Sequence, residues 1–164
     1  MDAGSQSLVL LPIGGEHLAL ASEIHRAVFG SEGWSAEDWR ALTAVPGAFG
    51  WLALPSREEE GPIAFLLGRH AGGEAEILTL GTLPEARRLG AARQLVEAFL
   101  DKLTAEGVLV AYLEVAETNS AAISLYRGLR FHEVGRREGY YKRKEGREDA
   151  LILRWRSPAE NPTN

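Results

Sequence analysis

The chain has 164 residues, 45% hydrophobic and 25% charged, and 18 Lys+Arg against 23 Asp+Glu give a net charge of −5. That length suits one domain with a sizeable core, the acidic balance argues against a general nucleic-acid surface, and the lack of cysteine excludes disulfides, thiolate metal sites and a cysteine nucleophile. The four histidines, His17, His25, His70 and His132, lack close metal-ligand spacing, so no metal is expected. With no basic segment at Met1-Asp2-Ala3-Gly4 and no apolar run of about 18 residues, neither signal peptide nor membrane span is expected, and the expected location is the cytoplasm.

Leu8-Val9-Leu10-Leu11 reads as a first strand. From Glu16 to Phe29, Leu18, Ala21, Ile24, Ala27 and Val28 recur at helical spacing, and Gly30-Ser31-Glu32-Gly33 breaks the pattern. Ser35, with Asp38 three residues on, is an N-cap signal for a short helix to Ala44. Phe49 to Leu54 and Pro62 to Arg69 are partner strands around a solvated loop, Pro55 to Gly61, that holds Glu58-Glu59-Glu60. Ala71-Gly72-Gly73 turns into a further strand, Ile77 to Leu83.

The longest helix is predicted from Leu89 to Glu106, with Ala92, Leu95, Val96, Phe99 and Leu103 as its buried stripe and Gly107 as its C-cap. Val108 to Val115 is nearly all apolar, as a central strand covered on both faces would be. Asn119 to Leu129 is a second helix of this half, and Phe131 to Arg137 and Asp149 to Trp155 are closing strands. Glu138 to Glu148 lies between them, charged and tyrosine-bearing. The order is β-α-α-β-β-β-α-β-α-β-β, with a single domain over residues 1–156 and a loose tail over 157–164.

The strand before Pro84 is followed by Arg87-Arg88-Leu89-Gly90-Ala91-Ala92 and then by helical spacing. The first-turn amides of a helix have no intrahelical partner and carry partial positive charge. With Gly90 and two alanines the backbone is bare enough for a phosphate to approach, and Arg87 and Arg88 add cationic groups. No Gly-Lys-Ser/Thr or Gly-x-Gly-x-x-Gly follows. An ordinary strand-to-helix connection with surface arginines fits the same residues. Further on, Asn119, Ala122 and Tyr126 share one face over two turns. That face can serve a pantetheine arm and its sulfur, or be a helix cap and a half-buried aromatic.

Arg-x-x-Gly-x-Ala after such a strand resembles the acyl-CoA motif of the GNAT N-acetyltransferase superfamily. Leu113-Glu114-Val115 followed by Asn119-Ser120-Ala121-Ala122 and Leu125-Tyr126 resembles the RimI-type ribosomal-protein-alanine N-acetyltransferases, as do Arg136-Arg137-Glu138-Gly139-Tyr140-Tyr141 and Gly146-Arg147-Glu148-Asp149-Ala150. The resemblance runs from about Leu10 to Arg154. It implies an α/β (α+β) GNAT fold, a mixed, mostly antiparallel seven-stranded sheet flanked by about four helices. It also implies acetyl-CoA as co-substrate, held by Leu80, Gly81, Thr82, Arg87, Arg88, Leu89, Gly90, Ala91, Ala92, Asn119, Ala122 and Tyr126. By position the resemblance implies that Glu114 is the base and Tyr126 the acid that protonates the leaving thiolate. It implies also that Trp34, Glu114, Tyr140 and Tyr141 bind the substrate, and that a backbone N–H around Leu80 to Thr82 serves the oxyanion.

Three departures stand out. Ala92 replaces the commoner second glycine of the CoA motif. Arg130 stands where Leu-Gly-Phe is usual, which is expected to alter the turn after the helix. The bend before Trp34 is slightly longer than the family's. Glu117 reads as a solvated loop charge rather than a rival base, and solvation of Arg136 and Arg137 at a strand edge is as good a reading as attraction of an acidic group. The expected activity is acetyl transfer to a protein N-terminal α-amine, the N-terminal alanine of a small-subunit ribosomal protein above all, by direct attack in a ternary complex. Acetylation of a small amine (polyamine, amino acid or aminoglycoside) and a non-catalytic acyl-CoA sensor are the alternatives, and neither nucleic acid nor membrane is an expected partner.

Overall fold

A computed structural model describes residues 7–57 and 60–158. Eleven regular elements follow one another: β1 Leu8–Pro12, α1 Leu18–Phe29, α2 Ala36–Thr43, β2 Ala48–Pro55, β3 Ala64–Ala71, β4 Glu74–Thr82, α3 Ala91–Ala105, β5 Val110–Ala116, α4 Ser120–Gly128, β6 His132–Arg143 and β7 Gly146–Arg156. The strands form one seven-stranded sheet in the order β1-β2-β3-β4-β5-β7-β6. The sheet is mixed and mostly antiparallel, with β4 and β5 parallel. This is the α/β architecture expected from the sequence.

The chain groups into two compact units. The first runs to Ala71 and resumes over Ile77–Asp101; the second holds Gly72–Glu76 and the chain from Lys102. In the first, α1 and α2 cover β2 and β3 through Leu18, Ala21, Ile24, Trp39, Leu52, Phe65 and Leu67, all buried. α2 forms where Ser35 accepts from the Asp38 N–H at 3.1 Å and Asp38 returns the bond to the Ser35 N–H at 2.8 Å. Gly33 is tight against α1, since a Cβ there would sit 2.6 Å from the Arg26 Cα.

In the second unit β5 pairs with β7 from Val110↔Arg156 to Ala116↔Ala150, while its pairing with β4 covers only Glu74–Glu76 against Val110–Tyr112. β5 is not covered evenly on its two faces as its apolar run suggests. Its residues alternate, and Glu114 projects on the more open side. Two helices of this unit end alike. Past α3, the Gly107 N–H donates to Thr104 O and the Val108 N–H to Leu103 O. Past α4, the Arg130 N–H donates to Arg127 O and the Phe131 N–H to Tyr126 O. Both are Schellman closures, and both put the residue after the C-cap at positive φ, Gly107 at 72° and Arg130 at 71°. Arg130 therefore keeps the turn that glycine would make rather than altering it, because the two closing hydrogen bonds and the Tyr126–Phe131 ring contact at 5.6 Å hold it there.

Three boundaries differ from expectation. The helix expected from Leu89 starts at Ala91, because Arg88 and Gly90 adopt φ of 69° and 80°. Glu138 to Glu148 belongs to the hairpin itself, which turns only at Lys144-Glu145. Ser157, expected in the loose tail, is buried, and its N–H donates to Leu109 O at 2.8 Å; residues 159–164, like residues 1–6, Glu58 and Glu59, lie outside the described residues.

Candidate active site

In the first unit, Leu80, Gly81 and Thr82 end β4. A Cβ on Gly81 would meet Phe65 Cζ at 2.5 Å, so glycine here is set by packing. A short 3-10 turn, Pro84–Ala86, then leads to Arg87, Arg88, Leu89 and Gly90, all exposed. Gly90 O accepts the first helical bond, from the Gln94 N–H. The N-cap position therefore has no side chain to satisfy the amides of Ala91 and Ala92, which sit ahead of intrahelical bonding. Ala91 is buried and Ala92 half-buried. Arg88 holds a left-handed conformation uncommon for a side-chain-bearing residue. A bare, dipole-positive helix start with two arginines beside it fits a pyrophosphate.

Trp34 lies on the same unit, fixed from two sides. Its N–H donates to His25 Nδ1 at 2.9 Å, its carbonyl accepts from Ser22 Oγ at 2.8 Å, and its ring stacks on His25 at 4.5 Å. Because a backbone N–H can only donate, His25 Nδ1 is the unprotonated nitrogen. Nε2–H therefore donates to Thr79 Oγ1, 3.0 Å away on β4. His25 is 2% exposed, and burial pushes its pKa down to about 4. In the sequence His25 stands only as one of four histidines without metal-ligand spacing. The signal for its present role was its place on the apolar stripe of α1, seven residues from Leu18 and four from Ala21. No group of three or more His, Cys, Asp or Glu among the described residues could hold a metal.

In the second unit, Asn119 Oδ1 accepts from the Ala122 N–H at 3.2 Å and so caps α4, leaving its amide NH2 as a donor. Ala122 is half-buried and Tyr126 is 6% exposed. Burial, with Tyr141 nearby, raises the Tyr126 phenol well above its usual range. A phenol that is costly to ionise stays a proton donor at neutral pH, and a thiolate formed in the same dry surroundings would be raised as well.

Glu114 carries an ion pair that the sequence did not show: Arg137 Nε sits 2.6 Å from its Oε1. The Arg137 guanidinium also lies 5.6 Å from the centroid of the Tyr140 ring. Tyr140 is exposed, and its ring meets that of Tyr141 edge-on at 5.1 Å. The Tyr141 phenol is raised, first by burial and then by the charge of Glu114. The structure thus gathers Glu114, Tyr126, Tyr140 and Tyr141 within one unit. The two tyrosines come together because β6 is irregular between Arg137 and Tyr141, and the Gly139 N–H donates to Asp149 Oδ1 at 2.8 Å.

Arg136, Glu117 and Glu148 are also paired. Arg136 Nη1 bridges Glu117 at 2.7 Å and Asp149 at 2.9 Å, so neither Arg136 nor Glu117 is simply solvated. Glu148, 8% exposed, accepts from the Thr118 N–H at 2.9 Å, from the Thr118 hydroxyl, and from Arg143 Nε at 2.6 Å. These bonds, the Thr118 hydroxyl first and Arg143 next, hold its carboxyl down to about 2. Glu148 thereby ties the hairpin to the loop just before the α4 cap.

The sequence matches the Acetyltransferase (GNAT) family over residues 18–131. It is 35% identical over 103 residues to the [ribosomal protein bS18]-alanine N-acetyltransferase of Salmonella typhimurium (strain LT2), covering 63% of this chain and 70% of that protein. To the enzyme of the same name from Escherichia coli (strain K12) it is 39% identical over 90 residues, 55% of this chain and 61% of that one. The crystal structure of the ribosomal-protein-S18-alanine N-acetyltransferase from Escherichia coli superposes with a TM-score of 0.81 at 27% identity, over 96% of this chain and 100% of that one. The chain belongs to the GNAT acetyltransferase family and is an N-acetyltransferase that uses acetyl-CoA.

Proposed function

We propose that the protein acetylates the α-amine at the N-terminus of another protein, the alanine that begins a small-subunit ribosomal protein being the specific acceptor. The observation that carries this reading is the Tyr140–Tyr141 pair on the β6–β7 hairpin, with Tyr141 within electrostatic reach of Glu114. A small amine has no peptide backbone for such a pair to grip. The names of the relatives point to the same acceptor. A ribosomal acceptor implies work in the cytoplasm, and neither nucleic acid nor membrane takes part; among the described residues no helix is long and apolar enough to cross a membrane.

Acetyl-CoA would supply the thioester. Arg87, Arg88 and the amides after Gly90 would hold its pyrophosphate, with Asn119 and Ala122 along the pantetheine arm. A peptide α-amine has a pKa of about 8, so Glu114 can take its proton through one water near neutrality. The amine nitrogen attacks the thioester carbonyl, and a backbone N–H at Leu80 to Thr82 steadies the oxyanion. As the C–S bond breaks, Tyr126 gives its proton to the departing sulfur, and the second proton of the new amide nitrogen leaves through water and restores the phenol. Trp34 lines the acceptor side.

Mass spectrometry tests the reading. The protein and acetyl-CoA are incubated with a short basic peptide that begins with Ala and also carries Lys, beside a blocked copy and several small amines. Acetyl on the α-amine alone is the expected result. Transfer only to Lys or to small amines would replace the acceptor, and binding without any transfer would make the protein a sensor.

A further inference from the structure

We infer that the Arg137 guanidinium occupies the subsite of the acceptor's ammonium in the free protein, and that a protonated primary amine must displace it from Glu114. The inference rests on the proposed role of Glu114. An α-amine with a pKa of about 8 arrives mostly as a cation at neutral pH. The ammonium, directly or through the one water, needs an oxygen of Glu114, and Oε1 already faces Arg137 Nε at 2.6 Å. The two cations therefore compete for that oxygen.

The geometry fits a pair made to be broken. The Arg137 side chain is 56% exposed and that of Glu114 29%, so the pair is partly solvated. A pair of this kind is weak enough for a substrate to replace. Arg137 also has a second resting place already in contact, the exposed face of Tyr140, where a guanidinium is held by the ring quadrupole. Nothing comparable holds for Arg136, whose Nη1 is gripped by two carboxylates at once. Displacement would leave the guanidinium, already 5.6 Å from the Tyr140 centroid, held only by one of the tyrosines proposed to grip the peptide. Acceptor arrival and completion of the peptide-binding surface would then be one event. Neutral nucleophiles such as alcohols have no charge with which to displace the arginine, so Arg137 would select for amines.

Steady-state kinetics with the Ala-starting peptide test this on the full chain, at saturating acetyl-CoA and low ionic strength. Arg137→Gln is expected to lower the acceptor KM about threefold, the factor that release of a weak surface pair supplies, while Arg137→Lys restores the wild-type value. Methylammonium chloride should compete with the peptide better in Arg137→Gln than in the wild type, because Glu114 is then open to a small cation. An unchanged or raised KM in Arg137→Gln, in a variant with the wild-type circular dichroism spectrum, would overturn the displacement. A fall in kcat alone would instead make Arg137 a positioning residue for Glu114. Wild-type protein that transfers acetyl to no α-amine would fail the proposed function itself, a result separate from either of these.

Discussion

At the scale of single residues, Arg130 is where sequence and backbone disagree most. A left-handed conformation is unfavourable for any residue with a Cβ, and Arg130 carries that cost at φ 71°. The parallel closure at Gly107 shows the same hydrogen bonds made by the residue type that suits them. Arg130→Gly should therefore stabilise the protein by about 1 kcal/mol, the relief of strain outweighing the greater freedom of glycine in the unfolded chain. For a domain of this size that is a rise in Tm of roughly 2–4 °C, readable by calorimetry. A fall in Tm would mean that the arginine side chain contributes more than its backbone costs. The substitution itself was visible in the sequence against the Leu-Gly-Phe pattern. That the turn survives it was not, because the closing bonds come from the backbone and from the Tyr126–Phe131 contact.

At the scale of elements, the helices were legible because their signals are local. The Ser35–Asp38 capping box, the apolar stripe of α3 and Gly107 each act within one or two turns of chain. The β6–β7 hairpin was only half legible. Charged residues from Glu138 to Glu148 read as a connection, yet they continue a ladder whose opposite charges meet across strands, Arg143 with Glu148 within the segment and Arg136 with Asp149 just outside it. Pairings with β5 and its following loop, Arg137 with Glu114 and Glu148 with Thr118, depend on register that no single segment encodes. Glu148 shows what such a pairing does. Its native pKa of about 2 lies below the ordinary carboxylate value, so it adds stability at neutral pH. That contribution is complete above about 4.5. It is lost as pH falls toward 2, because the unfolded state takes up the proton first. Amide exchange at Thr118, whose N–H donates to Glu148, should be strongly protected at pH 6, and Glu148→Gln should release it more than it releases amides in the middle of β5. Equal loosening of both would mean that Glu148 serves the whole unit and not this junction.

At the scale of the whole molecule, acid should act on the two units in sequence, because each buries one group that titrates in its own window. Glu148 belongs to the second unit and responds below about 4.5. His25 belongs to the first and responds earlier. Its native pKa of about 4 lies below the unfolded value near 6.5, since burial among Phe29, Trp34, Trp39 and Phe65 disfavours the imidazolium. Protonation would also place a donor where Nδ1 must accept the Trp34 N–H. The stabilising effect of a neutral His25 is therefore complete above about pH 6.5 and is lost as pH falls to about 4, by about 1.4 kcal/mol per pH unit and about 3 kcal/mol in all. His25→Gln removes the titration while keeping a side chain that can both accept and donate. At pH 7 the variant should be less stable than the wild type, for the lost ring stacking on Trp34. Between pH 6.5 and 4.5 that gap should shrink by about 2–3 kcal/mol, since only the wild type pays for a proton bound on unfolding. Urea unfolding midpoints at pH 7, 5.5 and 4.5 measure it. Parallel pH dependences for the two proteins would show that His25 takes its proton in the folded state without cost, and the buried Trp34–His25–Thr79 chain would then not be what fixes the bend before α2.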